Sequence, residues 1–225
     1  MSALVGNAKR IQSCTLIGGA KKRIGHTRET MFNTQFGNAE NAISYKAEAD
    51  CTLSYDCEDS KPIIDMIREK LKIYSNSVAI SLKSGKNLQF TLGNIPEITD
   101  VSDKIIAMKS PSLWNKYLKK SESKHPADVL VYNDSLKNKW VFFAMDDVVN
   151  YIVNSASWRL LVTGRIKGDF KINEKDSRQF LTYEYRPNKG YLLGANGGQG
   201  GKFIDLLTKN IPNFSMPIVS MPIVI

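Results

Sequence analysis

Ala49-Asp50-Cys51-Thr52-Leu53-Ser54-Tyr55 and Ser77-Val78-Ala79-Ile80-Ser81-Leu82-Lys83 decide the fold. The first stretch alternates weakly between apolar and polar residues and the second is rich in apolar ones, so both read as strands. Between them, Ser60 and Pro62 open a helix whose Ile63, Ile67, Leu71 and Tyr74 recur at helical spacing, and this helix is expected to pack on the sheet. A Ser84-Gly85-Lys86 turn then leads into a further apolar run, 87–92, which predicts a hairpin. Asp50 and Lys83 are 33 residues apart. A strand, a helix and a second strand across that gap can bring carboxylate and ammonium to the same end of a sheet. The alternative is a surface aspartate and a strand-end lysine that never meet.

Working outward, 27–36 predicts a helix with Met31 and Phe32 on a short apolar face and Gly37 as its stop. Downstream, Ser110 and Pro111 start a helix over 111–120, and 129–132 with 140–145 form a hairpin. Asp146 is expected to cap a helix through 153. Strands follow at 158–166 and 179–185, then a Pro187-Asn188-Lys189-Gly190 turn, a strand over 191–193 and a helix over 203–209. The fold class is therefore mixed α/β (α+β), with a central mixed β-sheet flanked by helices. The five-residue tandem beginning at Ser215 and Ser220 suits an edge strand or a dimer contact better than a repeat array.

The 225 residues suit one domain, 1–225, and 24% charged with 42% hydrophobic residues excludes a disordered or collagen-like chain. Thirty-one Lys and Arg against 22 Asp and Glu leave a net charge of +9, which points to a polyanionic partner. The charge is uneven: 1–28 is wholly basic, 104–124 nearly so, and 40–69 carries eight acids. Cys14, Cys51 and Cys57 form no C-x-x-C pair, so no disulfide framework or zinc knuckle is indicated and a reducing cytoplasm is expected. No signal peptide or membrane span is expected, because the apolar runs are short and interrupted.

With only His26 and His125, chemistries built on paired histidines have few ways to assemble, and neither H-E-x-x-H nor G-x-S-x-G occurs. The run Gly194-Ala195-Asn196-Gly197-Gly198-Gln199-Gly200-Gly201-Lys202 is placed like a phosphate-cradling loop, yet it fails the P-loop consensus. Asn196 stands at the first glycine and Phe203 at the Mg²⁺-binding hydroxyl. No small-molecule nucleotide is therefore expected as a ligand. Asp128 also begins a strand, but no acid-x-Lys follows it, so it reads as a strand-start residue.

A carboxylate and a lysine at one sheet end suit phosphodiester hydrolysis: Asp50 holds Mg²⁺ beside the scissile phosphate while Lys83 orients or deprotonates the attacking water. At these residues the chain resembles the PD-(D/E)XK nucleases, and among them the short Type II restriction endonucleases. The resemblance covers 25–95, where Asp50 matches the motif aspartate, Lys83 its lysine, and Glu29 the acidic residue that many members carry on the preceding helix. It implies that Leu82 lends its backbone carbonyl to the metal, alongside Asp50 and Glu29. Ser81 stands where the family usually has Glu or Asp, and Ala49 where it has proline. A hydroxyl replaces a carboxylate poorly, so the resemblance requires Glu29 or Glu48 to complete the site.

The expectation is thus a restriction-endonuclease-like fold with a catalytic core at 25–95 and a hairpin and Gly-rich recognition or dimer region at 125–210. Its activity is Mg²⁺-dependent, sequence-specific cleavage of double-stranded DNA, with Asp50, Lys83, Ser81 and Glu29 as catalytic candidates. The resemblance further implies a homodimer acting on a short palindrome. Lys21, Lys22, Arg23 and Lys119 are candidates for phosphate contacts, as are Arg165, Lys167, Arg186, Lys189 and Lys202, while Asn188, Asn196 and Gln199 can address adenine edges. The rival expectation is a non-enzymatic basic DNA- or RNA-binding module, which needs no meeting of Asp50 and Lys83.

Overall fold

The computed structural model of the chain describes residues 20–37, 50–85, 88–93, 95, 101–118, 127–186, 190–195 and 198–219. These residues form a mixed α+β architecture with two five-stranded sheets. The first sheet is ordered β1 (Cys51–Ser54), β2 (Ser77–Ser84), β4 (Val129–Asp134), β5 (Lys139–Ala144) and β10 (Asn213–Pro217). β2 and β4 run parallel and every other pair is antiparallel, so the sheet is mixed. The second sheet is antiparallel throughout, ordered β3 (Gln89–Gly93), β9 (Gly190–Ala195), β8 (Ser177–Arg186), β7 (Ile166–Lys171) and β6 (Ala156–Leu160).

The period of two along β5 shows how the first sheet is covered on both faces. Trp140 and Phe142 join one hydrophobic cluster, Val141 and Phe143 the other. On the first face lie α1 (Ala20–Gln35), through Phe32 and with Phe36 just past its end, and α2 (Lys61–Leu71), through Ile63, Ile64, Ile67 and Leu71. Each of those four aliphatic side chains is buried, and full burial of such a side chain contributes roughly 1.5–3 kcal/mol. The other face meets α5 (Met145–Ser155), α6 (Gly200–Asn210) and the inner side of the second sheet, with Leu130 and Tyr132 packed among Val148, Phe170, Tyr183 and Phe203. α3 (Val101–Met108) and α4 (Pro111–Leu118) occur on the crossover from β3 to β4. No described helix is long and apolar enough to cross a membrane.

Four sequence expectations are corrected. β2 and 87–92 do not form a hairpin, because both edges of β2 are occupied by β1 and β4; β3 pairs instead with β9 in the second sheet. α2 ends at Leu71, where Lys72 adopts a left-handed conformation, φ 59°, so Tyr74 lies beyond the helix and is exposed. The expected strand over 158–166 is parts of two, β6 and β7, joined through Gly164 at φ +76°. Asp146 lies inside the first turn of α5 rather than capping it, beside Asp147, where negative charge favours the helix start. The tandem enters the structure as the edge strand β10, its second copy lying outside the described residues.

Candidate active site

The site arises where one strand ends before its neighbour. β1 stops at Cys51, paired with Ile80, while β2 continues along β4 as far as Ser84. In a strand the N–H and C=O of one residue point to the same edge and alternate residues share that edge, so Leu82 faces the edge that β1 has left. Asp50, immediately before β1, fills the gap with its carboxylate: Leu82 N donates to Asp50 Oδ2 at 2.8 Å. Ser81 and Lys83, two residues apart and so on the same face of β2, donate to the same oxygen, Ser81 Oγ at 3.4 Å and Lys83 Nζ at 3.2 Å. The structure therefore brings Asp50 and Lys83 together. Their side chains are 22% and 18% exposed, which removes the pair from most of the solvent screening that weakens surface ion pairs.

Beside this cluster is a cavity of about 110 Å³ lined by Asp50, Ser81 and Lys83, by Gln89, Phe90 and Thr91 of β3, and by Met145 at the start of α5. Gln89 and Thr91 are residues that sequence reasoning missed. Their signal was present, since they alternate with the buried Phe90 and Leu92, but it was read as a hairpin partner for β2.

Past Lys83 the chain turns at Gly85, φ +71°, whose carbonyl accepts the Tyr132 hydroxyl at 2.9 Å. Burial pushes the Tyr132 phenol above its ordinary range, with Asp134 adding to the rise. Arg28 of α1 comes close to the same turn: its Nη1 is 3.8 Å from where a Cβ on Gly85 would lie. Glu29 follows on α1, half-buried, and among the described residues no three His, Cys, Asp or Glu side chains gather as a metal cluster. Asp50 is the one carboxylate of the cluster, and Mg²⁺ is commonly bound by one or two carboxylates together with substrate phosphates. Among the described residues all hydrogen bonds to Asp50 fall on Oδ2, and the Leu82 carbonyl shares the edge of its N–H.

Asp128 is a strand-start residue, as expected. Its N–H donates to Ala79 O at 2.8 Å and its Oδ2 accepts Ala79 N at 3.0 Å, clasping β4 to β2. Asp128→Ala removes an acceptor from the half-buried Ala79 N–H and is expected to lower stability by about 1–3 kcal/mol, read from urea denaturation midpoints.

The recognition candidates are dispersed. Lys167 and Arg186 belong to the second sheet and Arg165 immediately precedes β7; Arg165 Nε lies 3.1 Å from Glu184 Oε2 and Arg186 Nε donates to Glu184 Oε1 at 2.6 Å. Lys167 is buried and donates to Thr182 Oγ1 at 2.8 Å; burial, then Arg165 and Arg159, push its ammonium below the ordinary lysine range. None of these lines the Asp50 cavity. Gln199 immediately precedes α6 and the exposed Lys202 lies in its first turn. Lys21, Lys22 and Arg23 begin α1, whereas Glu48, Lys119, Asn188, Lys189 and Asn196 lie outside the described residues. Comparison of the chain with protein-family models, curated proteins and solved structures finds no match.

Proposed function

We propose that the chain is a Mg²⁺-dependent, sequence-specific endonuclease of double-stranded DNA, of the Type II restriction class with a PD-(D/E)XK-like core. The observation that carries this reading is the convergence of Lys83, Ser81 and the Leu82 N–H on one oxygen of Asp50 beside a small cavity. Lys83 is in place to orient the attacking water, to hold or take its proton, and to offset charge on the phosphate. Asp50 anchors the lysine and is the carboxylate for a cation, with the Leu82 carbonyl and Glu29 as the further oxygen donors of the proposal. Mg²⁺ bound there supplies Lewis-acid stabilisation of the phosphate and of the leaving 3′ oxygen. The net charge of +9 supports a polyanionic substrate. A homodimer acting on a palindrome is part of the same proposal.

A specific observation favours a second reading. The three contacts on Asp50 Oδ2 also close the end of the β1–β2 ladder, which is what a non-enzymatic basic DNA- or RNA-binding module would need. Incubation with plasmid DNA and Mg²⁺, followed by sequencing of fragment ends, separates the two. Discrete ends at one recurring short sequence are expected. Intact plasmid in both Mg²⁺ and Mn²⁺, together with equal retention of all duplexes from a randomised library in Ca²⁺, would establish the binding module instead.

A further inference from the structure

A groove of about 320 Å³ runs between α6 and the β7–β8 hairpin, and its lining is strongly cationic: Lys171, Arg178, Lys202 and Lys209, with Asp205 as its one acid. Asp205 is already matched, since Lys137 Nζ lies 2.8 Å from its Oδ1. Among the described residues Arg178 has only a long ion-pair contact, to Asp176 at 3.5 Å between exposed groups. Lys171, Lys202 and Lys209 are exposed and have no carboxylate within ion-pair distance among the described residues. Like charges held together without counterions repel one another, so the arrangement favours an anionic ligand.

Lys202 and Asp205 also line a second cavity, of about 440 Å³. That cavity reaches Gly85, two residues beyond Lys83. Lys202 and Lys209 are seven residues apart on α6, about 10 Å along the axis at 1.5 Å per residue. At a rise of roughly 3.4 Å per nucleotide, that distance spans about three nucleotides of one strand.

We infer that this groove is a sequence-independent backbone site for the DNA, in which Lys171, Arg178, Lys202 and Lys209 neutralise phosphates outside the cleavage site. The inference rests on the proposed nuclease reading and extends it, since none of Lys171, Arg178 and Lys209 was marked by the sequence.

The test is binding of a fluorescent 30-bp random-sequence duplex in Ca²⁺, measured by anisotropy across a salt series. Each phosphate contact contributes about 0.9 to the slope of log affinity against log salt. Lys171→Gln/Lys209→Gln should therefore lower the slope by about 1.8 and weaken binding at least fivefold near physiological salt. Lys70→Gln/Lys72→Gln removes equal charge from the C-terminal end of α2 and the residue that follows it, and should leave the slope unchanged. Thermal melts of both double variants should match the wild type, because the substituted side chains are exposed. An unchanged slope in the groove variant, or an equal fall in the α2 variant, overturns the inference. A wild-type protein that never cuts DNA, yet loses slope only in the groove variant, would sink the nuclease reading and uphold the groove.

Discussion

Exchange of Asp50 for asparagine is expected to reduce Mg²⁺-dependent DNA cleavage at least about a thousandfold in single-turnover assays while leaving the fold intact. Asparagine keeps a carbonyl oxygen to accept the Leu82 N–H that Asp50 Oδ2 accepts at 2.8 Å, but it loses the charge needed by a cation and by Lys83. Stability should then stay within about 1 kcal/mol of the wild type. Asp50→Ala leaves the Leu82 N–H without its acceptor and the Lys83 ammonium without its counterion, so it should cost about 1–3 kcal/mol as well as the activity. Lys83→Ala should be similarly inactive but still bind DNA in Ca²⁺, because the carboxylate remains. The asparagine variant is the decisive one. If Asp50 and Lys83 only close the end of a strand ladder, Asp50→Asn would cut at the wild-type rate, or a wild-type protein would show no cutting to lose.

Phe142→Ala should be the most damaging core substitution, at about 3–5 kcal/mol against a total stability of roughly 5–15 kcal/mol. Phe142 is fully buried, stacks on Phe214 of β10 at 4.5 Å between ring centroids, and meets Phe36 at 6.0 Å and Phe32 at 6.2 Å. Removing the ring opens a void at the meeting point of α1, β5 and β10, elements otherwise tied through Gln35, whose amide contacts Trp140 and Pro217. Urea denaturation followed by circular dichroism should show a midpoint shift, or no folded baseline at all. A loss below about 1 kcal/mol would mean that this cluster is not packed as described.

The sequence made the local elements legible where a single face was buried. The 3.6-residue recurrence of Ile63, Ile67 and Leu71 marked α2 correctly because that helix is half solvated, and its apolar stripe is plain. The β4–β5 hairpin was equally plain, being local. The partner of β3 was not, because a strand whose partner lies about 100 residues away carries no short-range signal of which sheet it joins. Of the candidate site, the meeting of Asp50 and Lys83 was legible from strand order. The wall supplied by Gln89 and Thr91 depends on the second sheet lying against the first, which only the tertiary fold decides. The cationic groove was hidden for the same reason: Lys171 and Lys209 are 38 residues apart and belong to no motif.

The contact between Asp50 and Leu82 has an evolutionary corollary. Aspartate is fixed there through a main-chain N–H, which every residue except proline possesses. Position 82 is therefore free to drift through almost the whole amino-acid alphabet without disturbing the carboxylate, constrained only by the apolar cluster that its side chain brushes. Changes at position 82 would thus leave Asp50, Lys83 and the backbone edge that the carboxylate fills in place, while the letters around that pair change.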